Sequence, residues 1–139
     1  MRNMIKITIS GSFRKHLAEV IQIIDKFEKL GVSVLSPKFI KPKNPGAEFV
    51  LFEGEDTASP KILEDRHLEI IRQSDALYIV DPDGYVGNSA VMEIGFALAL
   101  GKPVFSKCQP TEFILSQTGY VKTASVRGVV ALLKNAGGR

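Results

Sequence analysis

The run "ALYIV" at 76–80 limits what this chain can become more than any other stretch. Five apolar residues in succession, followed by "DP", are too few for an ordinary helix and present no polar face to water. A strand that is apolar on both faces belongs at the centre of a parallel sheet, covered by helices on each side. The rest of the chain supplies matching parts. "IKITIS" (5–10) alternates and is β-branched, which predicts a strand, and "GS" turns the chain after it. From Arg14 to Leu30 the residues Leu17, Val20, Ile21, Ile24, Phe27 and Leu30 recur at helical spacing, and Gly31 stops the helix. "VSVLS" (32–36) predicts a second strand, ended by Pro37. Ser59 as N-cap and Pro60 at the first helical position open a helix to about Ser74, carrying Ile62, Leu63, Leu68, Ile70 and Ile71. An apolar helix follows the 76–82 strand, and "PVFSK" (103–107) is a further strand. A short helix at 111–115, a weak strand "YVKTA" and a helix over 125–135 complete the chain.

Strands alternating with helices imply a parallel sheet with helices on both faces. The expectation is one domain over 1–139, a flavodoxin-like or Rossmann-like α/β fold of about five strands. Residues 37–59 do not fit the alternation. They are charged and Pro-rich, with one short strand expected at "EFVLFEG". A loop of that length suggests a lid, and the alternative is that Phe49 and Phe52 plug the domain's own core.

The balance of 45% hydrophobic and 24% charged residues is that of a soluble globular protein, and a net charge of +3 is too small to argue for a nucleic-acid polymer. The single Cys108 excludes an internal disulfide and suits a reducing cytoplasm. The first apolar stretch is too short for a signal peptide, and the run from Ala90 to Phe105 is broken by "GKP", so no membrane span is expected.

The candidate site starts from Glu93, one carboxylate inside the apolar run "SAVMEIGFALAL". A buried carboxylate needs partners or a function, because losing its water is costly. In open parallel sheets, ligands bind beyond the carboxyl ends of the strands, where strand order reverses. Glu93 should therefore open into a crevice bordered by "SGSFRKH", "DPDGYVGNS" and "SKCQPTE". Ser89 also reads as an N-cap, with Asn88 as the other candidate, Gly84 and Gly87 as turn formers, Tyr85 as rim packing and Gly95 as a contact point between helix and sheet. Other chemistries find no support. "GFALALGKP" is not a P-loop, GxGxxG is absent and "GNSAV" is not a hydrolase nucleophile elbow. Asp81 lacks the acidic partners that a receiver domain would place after the first strand. His16, His67 and Cys108 are too scattered to predict a metal site.

Taken together, "ISGS", "HLEIIRQSDALYIVDP" and "GYVGNSAVMEIGFALALGKPVF" resemble the nucleoside 2-deoxyribosyltransferase-like family, which includes deoxynucleoside 5′-monophosphate N-glycosidases. The resemblance covers roughly 5–36 and 60–107. It implies a nucleoside or nucleotide as the small-molecule partner, no cofactor, and a homodimer or higher homo-oligomer. It also implies Glu93 as nucleophile and Gly11, Ser12 and Arg14 near the sugar or 5′-phosphate. The family's N-glycosidase branch has an Asp where this chain has His67. Asp81, Asp83 and His67 are the candidate proton donors. Gly84, Tyr85, Gly87, Asn88 and Ser89 would line the substrate, with backbone N–H groups at the helix start available to a phosphate. A non-catalytic nucleotide-binding module on the same fold is the competing expectation.

Overall fold

A computed structural model describes residues 4–136. Five strands form one parallel sheet: β1 (Lys6–Gly11), β2 (Ser33–Ser36), β3 (Ala76–Val80), β4 (Val104–Ser106) and β5 (Val121–Thr123), in the order β2-β1-β3-β4-β5. The helices are α1 (Leu17–Lys29), α2 (Pro60–Gln73), α3 (Asn88–Ala99), α4 (Phe113–Thr118) and α5 (Val126–Ala136). This is the flavodoxin-like arrangement expected from the alternation of elements. Strand order reverses between β1 and β3, and in sheets of this kind ligands bind beyond the carboxyl ends of the strands at that point.

The 76–80 strand is central and all five of its residues are buried. Its alternate side chains serve two cores. Tyr78 and Val80 join Ile7, Ile9 and Phe105 under Val20, Ile24 and Phe27 of α1 and Val129 and Val130 of α5. Leu77 and Ile79 pack with Val104, Ile71 of α2 and Ile94 and Ala97 of α3. Ser59 caps α2 as expected, accepting a hydrogen bond from the Ile62 N–H.

β1 carries the informative departure. Alternation normally marks a strand with one wet face, yet Thr8 and Ser10 are buried as fully as Ile7 and Ile9. Their hydroxyls face α2 and α3 instead of water: Thr8 Oγ1 lies 2.6 Å from Ser74 Oγ, and Ser10 Oγ donates to Glu93 Oε1 at 2.6 Å. The predicted apolar face of α2 is correspondingly thin. Only Ile71 is buried, and Ile62 is exposed.

Residues 37–59 hold no strand. A single isolated bridge joins Pro42 to Phe52, and the Asn44 side chain bonds the backbone of Phe49 and Leu51. Val50 and Phe52 are buried, with the Phe52 ring edge-on to Phe13 at 5.5 Å. That half of "FVLF" plugs the domain's own structure, while Phe49 remains partly exposed. Gly95 is exposed and a Cβ there would meet nothing within 4 Å, so it mediates no close approach to the sheet.

Candidate functional site

Glu93 sits in the second turn of α3, facing the carboxyl end of β1 as its place in the sequence suggested. Only 5% of the residue is exposed. Ser10 Oγ donates to its Oε1 at 2.6 Å, and His67 Nε2 lies 3.5 Å from the same oxygen. His67 is held in turn: Ser36 Oγ is 2.8 Å from its Nδ1, and Ser10 Oγ is 3.3 Å from its Nε2. Strand ends β1 and β2 thus orient a histidine on α2 against a carboxylate on α3. Burial opposes the charge on Glu93. Interactions with His67, then with the neighbouring Glu64 and the Ser10 hydroxyl, outweigh it and hold the carboxyl below the usual glutamate range.

Glu64 was not foreseen. It stands one turn before His67 on α2, and its Oε2 is buried without a hydrogen-bond partner. Burial first, then the neighbouring Glu93, push its carboxyl up to about 9. The sequence signal was present but faint. Glu64, His67, Ile71 and Ser74 share one helix face at spacings of three, four and three, which puts polar side chains where an inward stripe should be apolar.

Asp81 lies at the end of β3 and is fully buried, but it bonds elsewhere. Its Oδ1 accepts the Cys108 N–H at 2.8 Å, and Ser106 Oγ donates to the Cys108 carbonyl at 2.6 Å. Its Oδ2 has no partner. Burial pushes its carboxyl up to about 6 against the pull of backbone N–H groups. No hydrogen bond among the described residues joins Asp81 to the Glu93 cluster.

The other candidate residues lie on the turns that follow β1 and β3. A Cβ on Gly11 would fall 2.9 Å from the Val80 carbonyl oxygen, so glycine there lets β1 and β3 meet closely. Ser12 Oγ accepts the Lys15 N–H at 3.1 Å, and Arg14 is exposed. Lys15 Nζ lies 4.0 Å from the centroid of the Tyr85 ring, and His16 packs edge-on to that ring at 5.9 Å. The turn after β1 therefore touches the turn after β3. Asp83 is exposed with φ 58°. Gly84 has φ 82°, and a Cβ there would fall 2.5 Å from the Gln109 carbonyl oxygen, so the turn requires glycine at this position. The N-cap of α3 is Gly87, not Ser89 or Asn88. Asn88 and Ser89 are exposed in the first turn of the helix. Among the described residues no group of three or more His, Cys, Asp or Glu is placed to hold a metal ion.

No family model matches the chain, and no curated protein matches it. Solved structures do match in fold. A CMP N-glycosidase of Clostridium botulinum is 14% identical, covering 94% of this chain and 98% of that one, with a TM-score of 0.57. A 2-deoxyribosyltransferase of Bacillus psychrosaccharolyticus is 22% identical over 92% and 95%, with a TM-score of 0.59. A conserved protein of Enterococcus faecalis V583 is 16% identical over 96% and 99%, with a TM-score of 0.62. The chain has the single-domain α/β fold found in N-glycosidase and deoxyribosyltransferase structures, in agreement with the resemblance carried by its motifs.

Proposed function

We propose that the protein cleaves or transfers the N-glycosidic bond of a nucleoside or nucleotide, with Glu93 as nucleophile. The observation that carries this reading is a buried carboxylate held in its charged form at the strand switch point. The fold supports it, being that of structures described as a CMP N-glycosidase and a 2-deoxyribosyltransferase. In this mechanism a Glu93 oxygen attacks the anomeric carbon as the C–N bond breaks. Its negative charge stabilises the oxocarbenium-like state, and a glycosyl ester forms. The bonding pair leaves with the base, which takes a proton. His67, nearest the nucleophile, is the proposed donor, and Asp81 and Asp83 are the alternatives to it. Water or a second base then releases the sugar. Gly11, Ser12, Arg14, Asp83, Gly84, Tyr85, Gly87, Asn88 and Ser89 are proposed to border the substrate, without a cofactor.

Two further parts of the reading concern setting. No helix among the described residues is long and apolar enough to cross a membrane, in keeping with the cytoplasmic placement proposed from the lone cysteine. A homodimer or higher homo-oligomer is proposed because α3 leaves Val91 and Met92 exposed on a helix whose one charged residue is Glu93.

Purified protein incubated with a panel of nucleosides and 5′-monophosphates should release free base from at least one, read by chromatography. One observation favours the binding-module reading: Glu93 Oε1 is already engaged by Ser10 and His67. Tight nucleotide binding with no base released across the panel would establish that reading instead.

A further inference from the structure

Glu64 is the one ionisable member of the cluster to which the proposed reaction assigns no part. Its Oε2 is buried without a hydrogen-bond partner, next to a second carboxylate. Two ionised carboxylates cannot hydrogen-bond each other, since both only accept, and buried side by side they repel. A single proton between them removes both costs. The orphaned oxygen becomes an O–H donor, and Glu93 gains a bond. The other partners decide which residue keeps that proton. Ser10 Oγ and His67 Nε2 both face Glu93 Oε1, at 2.6 and 3.5 Å, and favour its anion. No hydrogen-bond donor serves Glu64 Oε2 in the same way.

We propose that Glu64 is a positioning residue: a neutral acid that stores the single proton of the Glu64–Glu93 pair and donates a hydrogen bond to Glu93, keeping it ionised and oriented. The role assigned to Glu93 rests on the function proposed above, whereas the shared proton does not. The groups facing Glu64 are few. Glu93 faces it from α3, and His67 and Asp65 neighbour it on α2, with Asp65 paired to Lys61 at 2.6 Å. From β1 and β2 the cluster receives only the hydroxyls of Ser10 and Ser36. Burial and the negative charge of Glu93 act in the same direction on Glu64, so the pair keeps its proton through the neutral range.

The test is carboxyl-13C NMR of the unliganded protein labelled at glutamate side chains, with Glu64 and Glu93 assigned from Glu64→Gln and Glu93→Gln. Glu64 should keep the protonated chemical shift at pH 7 and move only as the pH nears about 9, with Glu93 ionised throughout. In Glu64→Gln the amide still donates, so Glu93 should stay ionised; in Glu64→Ala its titration should move upward. A Glu64 signal already ionised at pH 7 overturns the proposal. These readouts need no turnover, so failure of the N-glycosidic reading is seen separately, in the nucleoside panel. With an active substrate, Glu64→Ala should lower kcat roughly tenfold or more, Glu64→Gln should recover most of that loss, and KM should change little. Equal losses in the two variants would also overturn it.

Discussion

The carboxyl edge of the sheet holds two buried acids that burial treats alike and their neighbours treat differently. Glu93, from α3, meets a hydroxyl donor on β1, a histidine on α2 and a second carboxyl, and it is held charged. Asp81, at the end of β3, receives the Cys108 N–H on one oxygen and nothing on the other, and its carboxyl rises to about 6. Desolvation is the largest single influence on both, and it opposes charge in both. The count and kind of donors decide the outcome. A charged, oriented carboxylate suits nucleophilic attack. A half-satisfied one that ties β3 to the turn after β4 suits a structural clasp.

The contrast breaks most clearly at Glu93. Glu93→Gln keeps the shape and removes the proposed nucleophile, so kcat should fall by about a thousandfold or more while ligand binding persists. Steady-state kinetics beside a binding isotherm check this, and unchanged turnover would remove Glu93 from the chemistry.

Ser10→Ala tests whether donors hold the charge. It deletes the shortest bond to Glu93 and should destabilise the fold by about 2 kcal/mol at pH 7. The sign with pH follows from the depressed carboxyl. Such a group contributes stability above its unfolded pKa and loses it as the pH falls through its folded value. The deficit of Ser10→Ala in urea unfolding should therefore shrink on acidification. A deficit constant with pH would mean that only packing was lost.

Asp81→Asn should act with the opposite sign. A carboxyl raised to about 6 favours the fold at low pH, and that advantage is lost as the pH rises through the folded value. The amide cannot ionise and still accepts the Cys108 N–H. It should be more stable than the parent by about 1–2 kcal/mol at pH 8, with the gap closing below pH ~4. Urea titrations at the two pH values measure it, and a variant less stable at pH 8 would show that the charged form of Asp81 is wanted.

Ser106→Ala carries the smallest effect. It frees the Cys108 carbonyl and loosens the turn that presents its N–H to Asp81, for about 1 kcal/mol. Turnover should not change, because nothing joins this clasp to Glu93 among the described hydrogen bonds. Loss of activity with stability intact would draw Asp81 into the chemistry as a proton donor.

Local pattern was enough for much of this. "ALYIV" could only be a central strand, and Ser59-Pro60 could only open a helix, because burial on both faces and capping geometry are properties of a few neighbouring residues. The lone carboxylate in an apolar helix likewise marked Glu93. What failed were readings that needed a partner from elsewhere in the chain. Ser89 looked like a cap, yet Gly87 takes that place, because the turn ahead of α3 is set by its contacts with Gln109 and Thr111.

By itself the sequence determined the order of the elements, the parallel sheet and the position of Glu93, since each depends on periodicity along the chain. Only the tertiary structure decided that the polar face of β1 is buried and that Glu64 and His67 converge on Glu93 while Asp81 does not. The contacts that join Ser10, Ser36, His67 and Glu93 link residues 26 to 83 positions apart in the chain. Their meeting depends on which face of the sheet α2 and α3 cover, and a hydroxyl or a carboxyl pattern reads the same along the chain whether it meets water or a partner.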